Sequence, residues 1–205
     1  MFLKRSDPYA LAVGMTGVKM GDRLLQVGCA DGGRAAAIAQ KVGLSGRAVV
    51  VVPDESSAAR ARKGAANAGV LIDVEIAPPV RLPLEDAAFD LVIVDDTDGL
   101  IGTMRAEDRV ATVRELLRVA RPGGRAMVVG TARRGGFGAL LSRAHAGPSF
   151  AASGDATRSL QADGFTSVRT LAEREGLVFV EGIKPREASG QTRDSAGQRA
   201  KGHSA

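Results

Sequence analysis

The sequence is poor in rings. It holds no Trp and a single Tyr, and aromatics make up 3% of its 205 residues. The hydrophobic fraction is nevertheless 44%, so the core must be aliphatic, built from Ala, Val and Leu. A flat ligand would have to lie between aliphatic walls, because few rings are available for stacking. Cysteine occurs once, at Cys29, which excludes an internal disulfide framework and a multi-cysteine zinc site. There is no basic-plus-apolar leader, and no apolar run approaches the ~20 residues that a bilayer-spanning helix needs. The expectation is a cytoplasmic protein with no membrane partner.

The net charge of +5 is unevenly placed. From Lys184 to the end, five basic residues outweigh two acidic ones, leaving a body of only +2. A dedicated nucleic-acid binder concentrates basic residues on a folded face, so a nucleic-acid partner is not expected. Residues 185–205 are rich in Gly, Ser, Ala, Gln and charge without apolar periodicity. They read as a disordered basic tail behind one domain over 1–184. Nothing in the sequence reports an oligomeric state.

Within the domain, strand-like and helix-like stretches alternate. Leu24–Val27, Ala48–Val52, Leu71–Ile76, Phe89–Asp95 and Arg125–Gly130 read as strands, several apolar enough to be buried on both faces. Arg34–Lys41, Ser56–Ala68 and Glu107–Ala120 read as helices, with Ser56 a possible cap and Val110, Val113, Leu117 and Val119 among the apolar positions of the third. Arg121-Pro-Gly-Gly124 should stop that helix. A helix over Gly154–Asp163 and strands over Phe165–Leu171 and Gly176–Ile183 finish the domain. This alternation implies right-handed crossovers and a mostly parallel sheet. The short polar link between the last two strands cannot hold a crossover, so they should pair antiparallel.

The first strand runs into Gly28-Cys29-Ala30-Asp31-Gly32-Gly33. In open α/β sheets, ligands sit beyond the carboxyl ends of the strands, and glycines there allow close backbone approach. The stretch Gly21-Asp22-Arg23-Leu24-Leu25-Gln26-Val27-Gly28-Cys29-Ala30-Asp31-Gly32-Gly33 resembles the first motif of class I S-adenosylmethionine-dependent methyltransferases. That motif is a Gly-Asp lead, an apolar pair, an acidic residue, then Gly-x-Gly-x-Gly. Further similar segments follow in order: Leu82-Pro83-Leu84 with Phe89-Asp90-Leu91-Val92, then Leu116 to Gly124, Asp163-Gly164-Phe165 and Leu177 to Gly182. The resemblance spans about Met15 to Lys184. It implies a Rossmann-like methyltransferase fold: a mostly parallel seven-stranded sheet with a C-terminal antiparallel strand and helices on both faces.

The resemblance also implies S-adenosylmethionine as cofactor, a small-molecule substrate, and cofactor contacts at Gln26, Gly28, Cys29, Ala30, Gly32, Asp54, Val80 and Asp95. Departures fall on those contacts. Gln26 replaces the family's acidic residue and Ala30 its middle glycine. The ribose carboxylate has Asp54 as its candidate, in Val52-Pro53-Asp54-Glu55, though Asp54 equally suits a helix-start acid. Pro78 and Pro79 stand where the family reads the adenine edge, leaving Val80 or neighbouring backbone for that task. These changes also allow a degenerate, partner-binding domain without cofactor. Gly28, Ala30 and Gly33 only approximate the pattern of a nicotinamide-dependent oxidoreductase.

Asp95, Asp96 and Asp98 end the fourth strand. Asp95 should line the mouth, with Asp96 and Asp98 solvated or turn-forming. The loop after the fifth strand, Gly130-Thr131-Ala132-Arg133-Arg134, brings no acidic partner, so no metal is expected. Cys29 reads as packing rather than nucleophile. His145, in an Arg-bearing stretch with Arg133, Arg134 and Arg143, is a possible general base or a surface residue; His203 lies in the tail.

Overall fold

A computed structural model describes residues 7–132 and 149–186. His145, His203, Arg133, Arg134, Arg143 and tail residues 187–205 lie outside the described residues. The chain runs α1 (Ala10–Thr16), β1 (Arg23–Val27), α2 (Gly32–Gln40), β2 (Arg47–Val52), α3 (Glu55–Ala68), β3 (Asp73–Ile76), β4 (Phe89–Asp96), α4 (Ala106–Val119), β5 (Ala120–Thr131), α5 (Asp155–Ala162), β6 (Thr166–Arg174) and β7 (Leu177–Ile183). One seven-stranded sheet has the order β3-β2-β1-β4-β5-β7-β6. The first five strands pair parallel, and β7 enters antiparallel to both β5 and β6. The expected parallel sheet closed by an antiparallel hairpin is therefore the observed one.

Alternation along the strands divides the core. Leu25, Val27, Val92 and Val94 face one layer with Val113 and Leu116 of α4 and Leu160 of α5. Leu24, Leu91 and Ile93 face the other with Ala12 of α1 and Ile38 of α2. Each fully buried aliphatic side chain contributes roughly 1.5–3 kcal/mol. The valines of β2 are buried throughout, as a two-faced central strand requires. Edge strand β3 is shorter than its apolar text suggests, because Leu71 is exposed and Asp73 and Glu75 point charge outward.

Several boundaries correct the sequence reading. The cap of α3 is Asp54, whose side chain accepts from the Ser57 N–H, and Ser56 lies inside the helix. On α4 the inward face carries Thr112, Val113, Leu116 and Val119, while Val110 is exposed. That helix ends at Val119, before the Pro-Gly-Gly turn, and passes directly into β5. Sequence periodicity gave no sign of α1, which at seven residues is too short to set a period, yet it packs on α2.

Helices α2 and α3 approach closely through two glycines. A Cβ on Gly64 would strike the Gly32 carbonyl, whereas one on Gly14, an exposed position of α1, would meet nothing within 4 Å. Alanine has the higher helix propensity by about 1 kcal/mol, so the two sites separate propensity from packing. Gly14→Ala is expected to raise stability by up to about 1 kcal/mol. Gly64→Ala is expected to lower it by about 1–3 kcal/mol despite that gain. Urea unfolding of both variants checks the pair; equal shifts would show that the α2–α3 contact is loose.

Candidate cofactor site

The loop after β1 lies at the point where the parallel strands leave β1 in opposite directions, β2 to one side and β4 to the other. Gly28 opens it with φ +83. Its N–H still pairs with the Val51 carbonyl at 2.8 Å. A side chain at Gly28 would meet Leu100 Cδ2 at 2.7 Å and the Asp95 carbonyl oxygen at 2.8 Å. Only glycine lets the loop sit against the end of β4.

The loop is fastened there by Asp95, which is 2% exposed. Its Oδ2 accepts from the Ala30 N–H at 3.0 Å. Arg34, on the first turns of α2, donates through Nη2 to Oδ1 at 2.8 Å and to Oδ2 at 2.9 Å. The same Nη2 donates to Thr97 Oγ1 at 2.6 Å, and that hydroxyl donates to Asp95 Oδ1 at 2.7 Å. Sequence reasoning missed Arg34. The only available signal was a basic residue just inside a helix start, where the macrodipole disfavours it.

The other anticipated residues are placed as follows. Gln26 is buried and turns back on its own strand, Nε2 donating to the Gly28 carbonyl at 2.9 Å. Cys29 is buried, and burial pushes its thiol up to about 11, so it remains a thiol at neutral pH. Its carbonyl accepts from Arg60 of α3 at 2.5 Å. Gly32 begins α2 under Gly64. Asp31 caps α2, accepting from the N–H groups of Gly33 and Arg34, and also from the Tyr9 hydroxyl at 3.2 Å. The donors that a pyrophosphate would use at a nicotinamide site are thereby taken by the protein's own carboxylate.

Beyond β2 the residues spread apart. Val52 ends the strand fully buried, and its carbonyl accepts from the Ala77 N–H at 3.0 Å. Asp54 lies two residues further on, exposed and engaged as the α3 cap, with Ser57 N–H at 2.9 Å holding its carboxyl below the ordinary value. Pro79 is buried and Val80 half-buried after β3. The structure thus brings Gly28, Ala30 and Asp95 into direct contact, while Asp54 is occupied at a helix start. A groove of about 470 Å³ between α2 and α3, lined by Tyr9, Gln40, Arg60, Lys63 and Asn67, contains Gly32 but no other anticipated site residue. Among the described residues, no cluster of three or more metal-ligating side chains occurs.

Of the two roles expected for Asp96, solvated or turn-forming, the structure shows the second, with the side chain buried. It is 1% exposed. Oδ1 accepts from the Ile101 N–H at 2.6 Å and the Gly102 N–H at 3.1 Å, and Oδ2 has no partner among the described residues. Burial pushes its carboxyl up to about 6, against the pull of those two N–H groups and with a further push from Asp98 and Asp95. The protonated form is thus favoured by folding. Its stabilising contribution is complete below the ordinary value of 3.8 and is lost as pH rises through about 6. Asp96→Asn retains an oxygen for the two N–H groups and removes the titration. Its stability relative to the unchanged protein is expected to rise by about 2 kcal/mol between about pH 4 and 8. Denaturant titration at both pH values measures the difference; a constant difference would contradict it.

Comparison with known proteins follows this geometry. A profile described as a methyltransferase domain matches residues 24–124, from β1 to the turn inside β5. The ubiquinone/menaquinone biosynthesis C-methyltransferase of Pseudomonas fluorescens (strain Pf0-1) is 32% identical over 142 residues, covering 68% of this chain and 53% of that protein. A S-adenosylmethionine-dependent methyltransferase from Aquifex aeolicus superposes with a TM-score of 0.66 at 17% identity, covering 86% of this chain and 89% of that one. The [4+2]-cyclase SpnF superposes at 0.63 with 18% identity, covering 87% and 80%. The chain spans between 36% and 53% of the length of the curated relatives it matches. The matched profile, the ordered motifs and the sheet order agree: the chain carries a methyltransferase domain of the class I S-adenosylmethionine-dependent type.

Proposed function

We propose that this chain binds S-adenosylmethionine over the carboxyl ends of β1, β2 and β4 and transfers its methyl group to a small molecule. The observation that carries this reading is the loop Gly28–Gly33 pinned by Asp95 at the switch point of the sheet. The residues fit the group best around that loop. Gly28 keeps the backbone low and open, and the Arg34–Asp95 pair supplies both signs of charge within 2.8 Å. Val80, half-buried beside Pro79, offers the aliphatic surface that a ring-poor protein must use for adenine. Bound there, the cofactor supplies a methyl group already activated by its sulfonium.

The protein's task is then to hold the acceptor in line and to exclude water, which needs no dedicated acid or base. Gln26, being neutral, contributes hydrogen bonding rather than charge. Val52 and the proline pair forgo hydrogen bonds that a carboxylate and a backbone N–H would make to the nucleoside. Each such loss costs about 1–3 kcal/mol, which weakens affinity by roughly tenfold to several hundredfold. A cytoplasmic setting suits the single buried thiol, and no helix among the described residues is long and apolar enough to cross a membrane.

Calorimetric titration of the purified protein with S-adenosylhomocysteine tests the reading. Binding is expected with a Kd between about 10 μM and 1 mM. Absence of heat and of any thermal shift at millimolar ligand would refute it.

A further inference from the structure

Among the described residues, one buried side-chain oxygen has no partner, Asp96 Oδ2. It faces the seam between the turn 97–104 and the segment at Phe150. A Cβ on Gly102 would lie 3.7 Å from that oxygen and 3.7 Å from both Cβ and N of Phe150. The other oxygen fastens the turn, accepting from the Ile101 and Gly102 N–H groups. The remaining bonds of the turn are short-range: Gly99 N–H on the Asp96 carbonyl and Thr103 N–H on the Gly99 carbonyl, both at 3.0 Å. Gly99, at φ +84, and Gly102 flank Leu100 and Ile101 and leave the backbone free to swing there. The turn also rests on the cofactor loop. Leu100 is the side chain against which Gly28 lies, and Thr97 touches both Asp95 and Arg34. One carboxylate oxygen thus closes a turn whose far side leans on that loop.

The surroundings do not compensate a charge on Asp96. Asp98 in the turn and Asp95 one residue back both oppose it. β5 places Gly130 opposite. From the layer around Ile101 and Phe150, α4 turns Thr112, Val113 and Leu116 inward and α5 turns Ala156 and Leu160 inward, none of which titrates. An ionised Asp96 in the closed turn therefore keeps one oxygen dry and unpaired, whereas in an opened turn water reaches both.

We infer that Asp96 is a positioning residue whose proton controls the turn 97–104: neutral, it holds the turn shut against the cofactor loop, and ionised, it lets the turn open locally while the sheet stays folded. The opening itself is independent of the cofactor reading above. Its coupling to ligand, through Leu100 on Gly28, rests on that reading.

Amide hydrogen exchange in the full chain reads the opening, because the Ile101 and Gly102 N–H groups exchange when they leave Asp96. Their protection factors, with the intrinsic rate divided out, are compared at pH 5 and pH 8 with those of Leu25 and Val92, paired at the centre of the sheet. The Asp96 carboxyl is pushed up to about 6 in the closed turn and returns toward the ordinary 3.8 once water reaches it. Closure is therefore fully favoured below 3.8, and that preference is lost as pH rises through about 6. Protection of Ile101 and Gly102 is expected to fall about tenfold from pH 5 to pH 8, and to stay well below that of Leu25 and Val92 at both. Asp96→Asn should abolish the fall, and Asp98→Asn, at an exposed position of the same turn, should keep it. Protection that does not change with pH in the unchanged protein would overturn the inference without recourse to any variant. Turn amides that exchange no faster than the sheet amides would overturn it too, since the opening would then be unfolding. So would a fall that survives in folded Asp96→Asn. S-adenosylhomocysteine at ten times its Kd is expected to raise the protection of Ile101 and Gly102 at pH 8 by about tenfold. If it binds and leaves those amides unchanged, the coupling to the loop is refuted. If it does not bind, the cofactor reading fails, and the pH-dependent opening is still decided by the exchange of the free protein.

Discussion

The Asp95 carboxylate is the interaction on which the site depends. It is buried at the carboxyl end of β4, and a buried carboxylate is tolerable only when its lone pairs are filled. Three parts of the chain fill them: the Ala30 N–H from the loop, Arg34 from α2, and Thr97 from the turn that follows. One charge thus ties the first loop to the fourth strand and fixes the rotation of α2 over the sheet. The positive φ of Gly28 is a consequence of the same constraint, because the loop can reach Asp95 only by lying against its backbone. The tight seating of Gly32 under Gly64 then brings α3 in, with Arg60 reaching the Cys29 carbonyl.

Most of the fold was legible in the sequence, and the reasons are local. Runs such as Ala48–Val52 and Phe89–Asp95 are apolar enough to name themselves as buried strands, and the short polar link before Leu177 excludes a crossover. What escaped were features set by partners far along the chain. The α3 cap is a local exception: of the two roles weighed for Asp54 the helix-start one is observed, its carboxylate accepting from Ser57 N–H three residues on, and Ser56 lies inside the helix. Val110 lies on an apolar-looking stripe but faces outward, since Thr112, Val113 and Leu116 already occupy the contact with the sheet. The site was legible as a location but not as chemistry. Gly28, Ala30 and Asp95 were identifiable from the motif, whereas Arg34 becomes visible only when the loop and β4 are seen folded together, 61 residues apart in sequence.

Membership of the family and possession of its chemistry rest on different residues. The sheet order, the hairpin and the Arg118 contacts that hold the Leu82–Asp86 segment are scaffold. A comparable scaffold in SpnF carries a name for a different reaction. What decides chemistry is the set of contacts at the strand ends. There this chain is unequal along its length: charged and hydrogen-bonded around the loop, aliphatic at Val52 and Pro79.

The neighbouring carboxylates on β4 show why sequence type alone does not assign a role. Asp95 and Asp96 are adjacent and both almost wholly buried, but alternation along a strand sends them to opposite faces of the sheet. On one face Asp95 meets a cation, a backbone N–H and a hydroxyl. On the other, Asp96 meets two backbone N–H groups through one oxygen and nothing through the second, beside Gly102 and Phe150. The same functional group is therefore an anchor on one side and a strained, titrating group on the other. The face with the cation organises the loop; the face without it stores an unfavourable charge that the fold carries in order to close the turn over Gly99–Met104. Both outcomes follow from a single-residue step along one strand.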